Sequence, residues 1–582
     1  MSKFLLVAIN ASYSHTNLAV RSIREYVKKY VPDADIEFGE WTINQPVGEV
    51  LRGIASFKPD FVLFSTYIWN GEYVSKIIPD IKKIIPDCVI GAGGPEFGFC
   101  AHKYLEKLPD LDFIMHGEGE ETVREIVEIF GHAERFLSLS KDDSASHLKN
   151  CKSLYMRPLP TASVQTSTFV EFAVGSSFDK QILYTGDRPL ICDLSVLPFP
   201  YPNITDPDNR MYYYESSRGC PFSCSYCMSS LDKRVRFMPL ERVYEDLQRF
   251  LDARVRIVKF VDRTYNLQPE RYISIWKYIV EHHNGKTMFH FEIEAEFLTE
   301  EALEFLRSVP AGVMQFEIGV QSANKETLRS VNRSENVEKL AQNIRQIPRT
   351  IHQHLDLIAG LPYENLESFG KSFDFVMALK PDALQLGFLK VLHGTSMEAY
   401  AKQNGWKWME NPMYETFSTP YMSYDDILFL KDVEVLVDAF YNSGVFPNVM
   451  NYIERNYGYW NFFTQMVDVA RKADVFAAAR REAFWFEFLA CNKDLFGGNV
   501  LYELVRYDFI RTGKKGGYPS WYVHNYNKDE HRQFLENNGG VTNARLDFAY
   551  SDFEVFTINP ESPEPEKTSG EFKILFKYPR KK

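Results

Sequence analysis

The sequence predicts an α/β protein in three parts: an N-terminal Rossmann-like, doubly wound parallel sheet, a partial (β/α)6 barrel, and a mainly helical C-terminal domain. Three observations predict it. Short apolar runs alternate with helical patterns from the N-terminus to Phe130, the alternation restarts at Met211, and it stops near Glu398. The expected divisions are 1–135, 136–204 (a connecting insertion), 205–397 and 398–582.

The first run, Phe4–Ile9, reads as a parallel strand buried on both faces. Val20, Ile23, Val27 and Tyr30 follow at helical spacing. Ile36–Phe38, Phe61–Ser65, Cys88–Ala92 and Asp112–His116 supply further strands, with helices expected at Val47–Ser56, Val74–Ile85 and Glu120–Phe130. In such a sheet the ligand sits beyond the carboxyl ends of the strands. The polar residues fall there: Asn10 and Ser12, then Ser65 and Tyr67, then Gly93-Gly94, then Glu118 within HGEGE. Residues 131–190 lose periodicity, apart from two short runs (FVEFAV and QILYT) that suit hairpin strands.

The barrel strands are expected at Met211–Ser217, Val255–Asp262, Met288–Glu296, Val313–Ser322, His354–Pro362 and Ala383–Val391, with helical segments between them. Function in such barrels sits at the carboxyl ends of the strands. Those ends carry Asp262, Glu294 and Glu296, and Glu317 with Gln321. A carboxylate there can bind a diol or an ammonium, or pair with Arg263 or Arg333 as a structural bridge.

After the first barrel strand comes RGCPFSCSYC, which puts Cys220, Cys224 and Cys227 in one loop at C-x3-C-x2-C spacing. Three soft thiolates can hold an iron–sulfur cluster whose usual complement is four, leaving one iron open to a small chelating molecule. A structural zinc site wants a fourth Cys or His at short range, and none follows Cys227 nearby. Eight Cys in 582 residues is sparse for a disulfide framework.

This loop, with Tyr226 before its last Cys, resembles the radical S-adenosylmethionine (SAM) superfamily. The resemblance implies a [4Fe-4S] cluster on Cys220, Cys224 and Cys227, with SAM on the open iron. It further implies SAM contacts from Tyr226, Asp262, Glu294, Glu296, Glu317 and Gln321. Where the family often has Gly-Gly-Glu after the second strand, this chain has Val261-Asp262-Arg263. The N-terminal set of Ser65, Gly93-Gly94 and GEGEET resembles the cobalamin-binding domain that precedes many radical SAM modules. It implies cobalamin contacts from Asn10, Ser12, Ser65, Tyr67, Gly93, Gly94 and Glu118. The Asp-x-His-x-x-Gly of cobalamin mutases is not present after the first strand, and His15 is off that spacing, so no histidine lower ligand is expected. The methylthiotransferase pattern, also a Rossmann-like layer ahead of such a barrel, would need three N-terminal Cys in strand-end loops; Cys88 and Cys100 do not supply them.

The layout resembles cobalamin-binding radical SAM proteins, which implies radical methyl transfer to an unactivated carbon. Cobalamin-using rearrangement or redox chemistry, and a non-enzymatic corrinoid or iron–sulfur sensor, stay open. An external electron donor such as flavodoxin or ferredoxin is the implied partner. The net charge of −12 gives no support for nucleic acid, and no apolar run reaches spanning length, so a cytoplasmic protein is expected. In the C-terminal third, amphipathic spacing predicts helices at Asp425–Phe440 and Phe462–Leu489, and the Pro/Glu-rich stretch from Asn559 reads as a linker or mobile tail.

Overall fold

The computed structural model describes residues 2–131, 148–157, 182–513, 518–525, 527–538 and 550–578. The FVEFAV run lies outside the described residues. The chain forms two compact units: Met1–Gly319 with Glu326–Gln353 and Phe388–Pro420, and Val320–Lys325 with His354–Gly387 and Tyr421–Lys582.

The first unit opens with β1 (Lys3–Asn10), α1 (Leu18–Tyr30), β2 (Asp35–Thr42), α2 (Val47–Phe57), β3 (Phe61–Ser65), α3 (Gly71–Ile84), β4 (Val89–Gly93), β5 (Phe113–Met115) and α6 (Gly119–Phe130). Two short helices, α4 (Pro95–Phe99) and α5 (Ala101–Lys107), sit between β4 and β5, and the order in the sheet is β2-β1-β3-β4-β5. Helices cover both faces because the strands are apolar on both. Leu5, Val7 and Ile9 pack with Ile54, Ile77 and Ile81 on one side; Phe4, Leu6 and Ala8 pack with Val20, Val27 and Val123 on the other. Each such fully buried aliphatic side chain contributes about 1.5–3 kcal/mol. β6 (Leu154–Met156) and β7 (Leu183–Tyr184) extend the sheet antiparallel; β7 falls inside the expected QILYT run. Cys88 lies just before β4 rather than in it.

The barrel strands of this unit are β8 (Met211–Tyr214), β11 (Ile257–Phe260), β12 (Met288–Ile293) and β13 (Met314–Gln321, to Gly319 here), parallel in register and ordered β13-β12-β11-β8. Strict alternation along β13 buries Met314, Phe316 and Ile318 and leaves Gln315, Glu317 and Gly319 partly open on the other face. A small antiparallel ribbon of β9 (Ser217–Arg218) and β10 (Arg236–Phe237) closes the Cys loop.

The second unit holds β14 (His352–Ala359, from His354) and β15 (Ala383–Phe388, to Gly387), then helices. Tyr424–Val437 is helical, with a capping box between Ser423 and Asp426, and ends in a π-helical turn at Asp438–Asn442. The long helix expected over Phe462–Leu489 is broken into Tyr459–Lys472 and Glu482–Cys491. Asp474 adopts φ 50 between them and a short 3-10 turn follows. The Pro/Glu-rich stretch is a connection between two antiparallel strands, Ser551–Phe556 and Phe572–Lys577. No helix among the described residues is long and apolar enough to cross a membrane.

Candidate cofactor site

The sheet order β2-β1-β3-β4-β5 reverses direction between β1 and β3, and an open α/β sheet binds its ligand in the crevice at that switch point. Asn70, fully buried, ties the two strand ends together. Its Nδ2 donates to the Ile9 carbonyl (2.9 Å) and the Ser65 carbonyl (3.1 Å), while its Oδ1 accepts from Tyr67 N (2.7 Å). Nothing in the sequence marks Asn70 as a site residue, since a single amide carries no pattern. Asn10 is also buried: its Nδ2 donates to the His15 carbonyl at 3.0 Å, which shapes the first loop from within. Ser12 pairs with Ser14 (Oγ–Oγ 2.8 Å) and is partly open. Ser65 is buried; Tyr67 stacks on Trp69 with ring centroids 4.3 Å apart. Gly94 has φ 97, and a Cβ there would lie 2.4 Å from the Thr66 carbonyl oxygen, so only glycine lets the β3 and β4 loops close on each other.

The same first loop reaches the barrel. Met211 N donates to the Ser14 carbonyl (2.6 Å), Thr16 N donates to the Met211 carbonyl (3.3 Å), and Arg210 Nη1 donates to the His15 carbonyl (3.0 Å). The His15 ring packs edge-on against Tyr213 at 5.9 Å. Burial and then the Lys259 ammonium hold the His15 pKa below its ordinary value, favouring neutral imidazole.

At the carboxyl end of β8 the three thiols share one loop. Gly219 (φ 90) starts it, and Cys220 N donates to the Asp232 carbonyl at 2.9 Å. Cys227 N donates to the Cys224 carbonyl (3.1 Å), and Ser225 N to the Val331 carbonyl (3.1 Å). Cys220 is buried with its sulfur 3.7 Å from Thr264 Oγ1; Cys224 and Cys227 are partly open. Burial raises the Cys224 pKa, and Arg333 opposes that rise. Among the described residues no three His, Cys, Asp or Glu side chains gather as one metal ion requires. A cluster binds each thiolate to a different iron, so its ligands stand farther apart than those of one ion. Three free thiols on one glycine-started loop, beside a buried cation, fit such a cluster. Cys88, Cys100 and Cys151 are different: burial pushes each thiol up to about 12, which keeps it protonated.

Arg333 organises the cysteine side of the barrel mouth. Its Nη2 donates to Glu294 Oε2 (2.7 Å) and to the Gly319 carbonyl (2.7 Å), and it neighbours Tyr226 and Cys224. Burial raises the Glu294 pKa and Arg333 offsets part of the rise. The Tyr226 hydroxyl is pushed up by burial and so stays neutral. Glu296 is partly open two residues beyond Glu294, in a short 3-10 turn. Asp262 is placed differently from an open strand-end carboxylate. It is fully buried and accepts from Ser216 N (3.2 Å), Ser216 Oγ (3.1 Å) and Ser217 Oγ (2.5 Å), beneath the start of the Cys loop. Burial raises its pKa to about 6. Glu317 lies mid-strand, paired with Lys259 Nζ (2.8 Å) and His290 Nε2 (2.9 Å). Burial raises its pKa, but both partners oppose that strongly enough to hold it at about 2. Gln321 belongs to the second unit and takes a left-handed φ of 69.

Glu118 lies at the C-terminal edge of the first sheet, ion-paired with Arg236 Nη1 at 2.7 Å and Arg218 Nη1 at 3.3 Å. A cavity of about 290 Å³ opens beside it, lined also by His116, Gly117, Arg188, Ile191 and Arg234; neither the three cysteines nor Ser65 and Gly93 line it.

A flavodoxin-order sheet is followed by parallel barrel strands, the first of which leads into a three-cysteine loop, and this defines a two-module α/β protein. Comparison with known proteins makes the class specific. Residues 5–127 match the B12 binding domain, residues 214–376 the Radical SAM superfamily, and residues 402–558 a protein family of unknown function, DUF4080. The chain thus carries a B12 binding domain followed by a Radical SAM superfamily domain. It is 27% identical over 336 residues to the cobalamin-dependent radical SAM methyltransferase TokK of Streptomyces tokunonensis, covering 56% of this chain and 45% of TokK, under half the relative's length. The fold is similar to the cobalamin-dependent SAM radical enzyme OxsB solved with aqua-cobalamin and SAM (TM-score 0.58, 14% identity, 88% of this chain and 80% of OxsB). It is also similar to the methyltransferase TsrM of Kitasatospora setae solved with cobalamin and a [4Fe-4S] cluster (TM-score 0.53, 14% identity, 71% and 79%).

Proposed function

We propose that this chain is a cobalamin-dependent radical SAM enzyme that transfers a methyl group to an unactivated carbon. The observation that carries the reading is the join between Ser14 and Met211. The first loop of the switch-point crevice hydrogen-bonds to Met211, the first residue of the barrel strand whose other end leads into the Cys loop, so one strand links the two candidate cofactor regions. On this reading residues 1–135 bind cobalamin, 205–397 form the barrel, 136–204 connect them, and 398–582 complete the chain.

Cys220, Cys224 and Cys227 would hold a [4Fe-4S] cluster. SAM would lie near Tyr226, Glu294 and Glu296, and cobalamin near Ser12, Ser65, Tyr67, Gly93 and Gly94. When bound, the cluster supplies the electron for reductive cleavage of SAM, and cobalamin supplies a methyl carrier. The chain's own residues prepare the ground. Arg333 neutralises Glu294 and keeps cationic charge beside Cys224. Asp262 holds Ser216 and Ser217 so that the loop starts from a fixed backbone. Tyr213, Lys259, His290 and Glu317 line the lumen with hydrogen-bonding groups where a substrate would be oriented. His15, held neutral, offers no positive charge to the crevice wall. An external one-electron donor of the flavodoxin or ferredoxin kind is the partner this reading requires, in a reducing, cytoplasmic setting.

The test is 5'-deoxyadenosine formation from SAM by the reduced, anaerobically reconstituted chain. Product that disappears with Cys224→Ala supports the reading. A cluster-loaded chain that never cleaves SAM contradicts it and leaves the sensor alternative.

A further inference from the structure

We propose that Glu118 is a positioning residue through which the N-terminal sheet fixes the cluster-bearing loop, an inference that rests on the cluster reading of the three cysteines. The ribbon that closes the loop pairs Arg218 directly with Arg236 across its two strands. Two like charges in that position repel and would splay the strands. The Glu118 carboxylate bridges them: Oε1 lies 2.7 Å from Arg236 Nη1 and 3.3 Å from Arg218 Nη1. Its Oε2 accepts from Ile191 N at 2.9 Å, and Arg236 Nη1 donates to the Ile191 carbonyl at 2.7 Å, so the connecting segment is drawn into the same knot.

Most of the remaining donors of the two arginines are also taken, the buried Arg236 Nε being the exception. Glu120 Oε1 takes Arg218 Nη2 at 2.5 Å, Glu215 takes Arg218 Nε at 2.7 Å, and Asp232 takes Arg236 Nη2 at 2.8 Å. The side chains of Arg218, Arg236 and Glu118 are only 13%, 9% and 18% exposed, so solvent screens the arrangement weakly. Glu118 is the member shared by both cations, and it stands on another element, held by the left-handed turn at Gly117 (φ 77).

Displacement of Arg218 would pass straight to the first cysteine. Gly219 follows it with φ 90, and even a Cβ there would lie 2.2 Å from the Arg234 carbonyl oxygen, so there is no slack before Cys220. Cys220 N is in turn bonded to the Asp232 carbonyl, whose side chain holds Arg236. Glu118 therefore acts through Arg218 and Arg236 on the loop, a different role from the corrin contact that its place in the GEGE motif suggested.

The test uses the full chain, anaerobically reconstituted, as wild type, Glu118→Gln, Arg236→Gln and the double variant. Three quantities are read for each: iron and sulfide per chain, cobalamin retained after desalting, and the change in the EPR spectrum of the reduced cluster on titration with SAM. Glu118→Gln is expected to keep its cluster and its cobalamin while the SAM titration midpoint rises about tenfold, equivalent to about 1.4 kcal/mol. Adding Arg236→Gln removes the repulsion and should recover most of that loss, a non-additive outcome. Should Glu118→Gln not fold, the double variant carries the test: folded with a near wild-type midpoint supports the role, and unfolded overturns it. Loss of cobalamin with an unchanged SAM response would overturn it in favour of a corrin contact, and additive effects would overturn the bridging argument. A wild-type chain that assembles no iron–sulfur cluster would instead defeat the underlying reading, and the iron assay reports that separately.

Discussion

Replacing Arg333 by Met should be the most damaging single change at the barrel mouth outside the cysteines. Arg333 and Glu294 are 16% and 18% exposed and 2.7 Å apart, and Arg333 also satisfies the Gly319 carbonyl. Removing one partner of a buried pair leaves the other charge uncompensated, at about 3–5 kcal/mol. Burial already raises the Glu294 pKa, so part of that cost will be relieved by protonation, and about 3 kcal/mol is the expected net loss. In a domain of barrel size this lowers the melting temperature by roughly 6 °C or more. Glu294→Gln alone should cost less, because neutralising the acid leaves an arginine that still bonds the Gly319 carbonyl. The double variant should therefore be more stable than the sum of the singles by at least about 1 kcal/mol. Thermal melts of the four proteins, with iron content measured on each, read this out. Additivity within about 0.5 kcal/mol would refute the claim that the two side chains act as one unit.

Three further outcomes follow from named contacts. Gly94→Ala should destabilise the N-terminal sheet by roughly 1–3 kcal/mol, since a Cβ would meet the Thr66 backbone and φ is 97; an unchanged melting temperature would contradict that. Asp508 is buried, and burial raises its pKa to about 7 although Asn448 and Val449 donate to it. A carboxyl with a raised folded-state pKa contributes stability that is full below about pH 4 and lost as pH rises through about 7. Asp508→Asn should therefore flatten the fall in unfolding free energy across that window, by up to about 4 kcal/mol, and a parallel profile from denaturant melts would contradict the assignment. Lys259→Met should leave Glu317 without its cation in the lumen and so lower turnover more than SAM cleavage, read as the ratio of methylated product to 5'-deoxyadenosine.

What the sequence disclosed and what it hid have physical causes. The Cys220–Cys227 loop was legible because its chemistry lies in a ten-residue stretch, and the strands because parallel buried strands are apolar throughout. Carboxylate roles were not legible. Glu317 looked like a strand-end residue, yet the parallel register of β11, β12 and β13 brings it against Lys259 and His290, and register is set by packing rather than by local pattern. Asp262 reads as a strand-end carboxylate able to bind a ligand or an arginine, but its partners are Ser216 and Ser217, about 45 residues earlier in the chain. Glu118 sits in a glycine-rich motif that suggests a ligand, while its partners come from the Cys ribbon about a hundred residues on. The break at Asp474 and the pairing of Ser551–Phe556 with Phe572–Lys577 are hidden for a similar reason: aromatic density looks helical, and a Pro/Glu-rich connection masks the strands on either side of it.

On the proposed reading this one chain holds both a cluster and a corrinoid, with the first sheet loop bonded to the first barrel strand. EPR spectroscopy of the anaerobically reconstituted, cobalamin-loaded and desalted protein, poised with cobalt as Co(II) and then reduced, tests it most directly. The account predicts a stoichiometric cobalt signal without nitrogen superhyperfine splitting, together with a cluster signal that changes on adding SAM and is lost in Cys224→Ala. A protein that retains no cobalt, or a cobalt signal split by nitrogen, would contradict it.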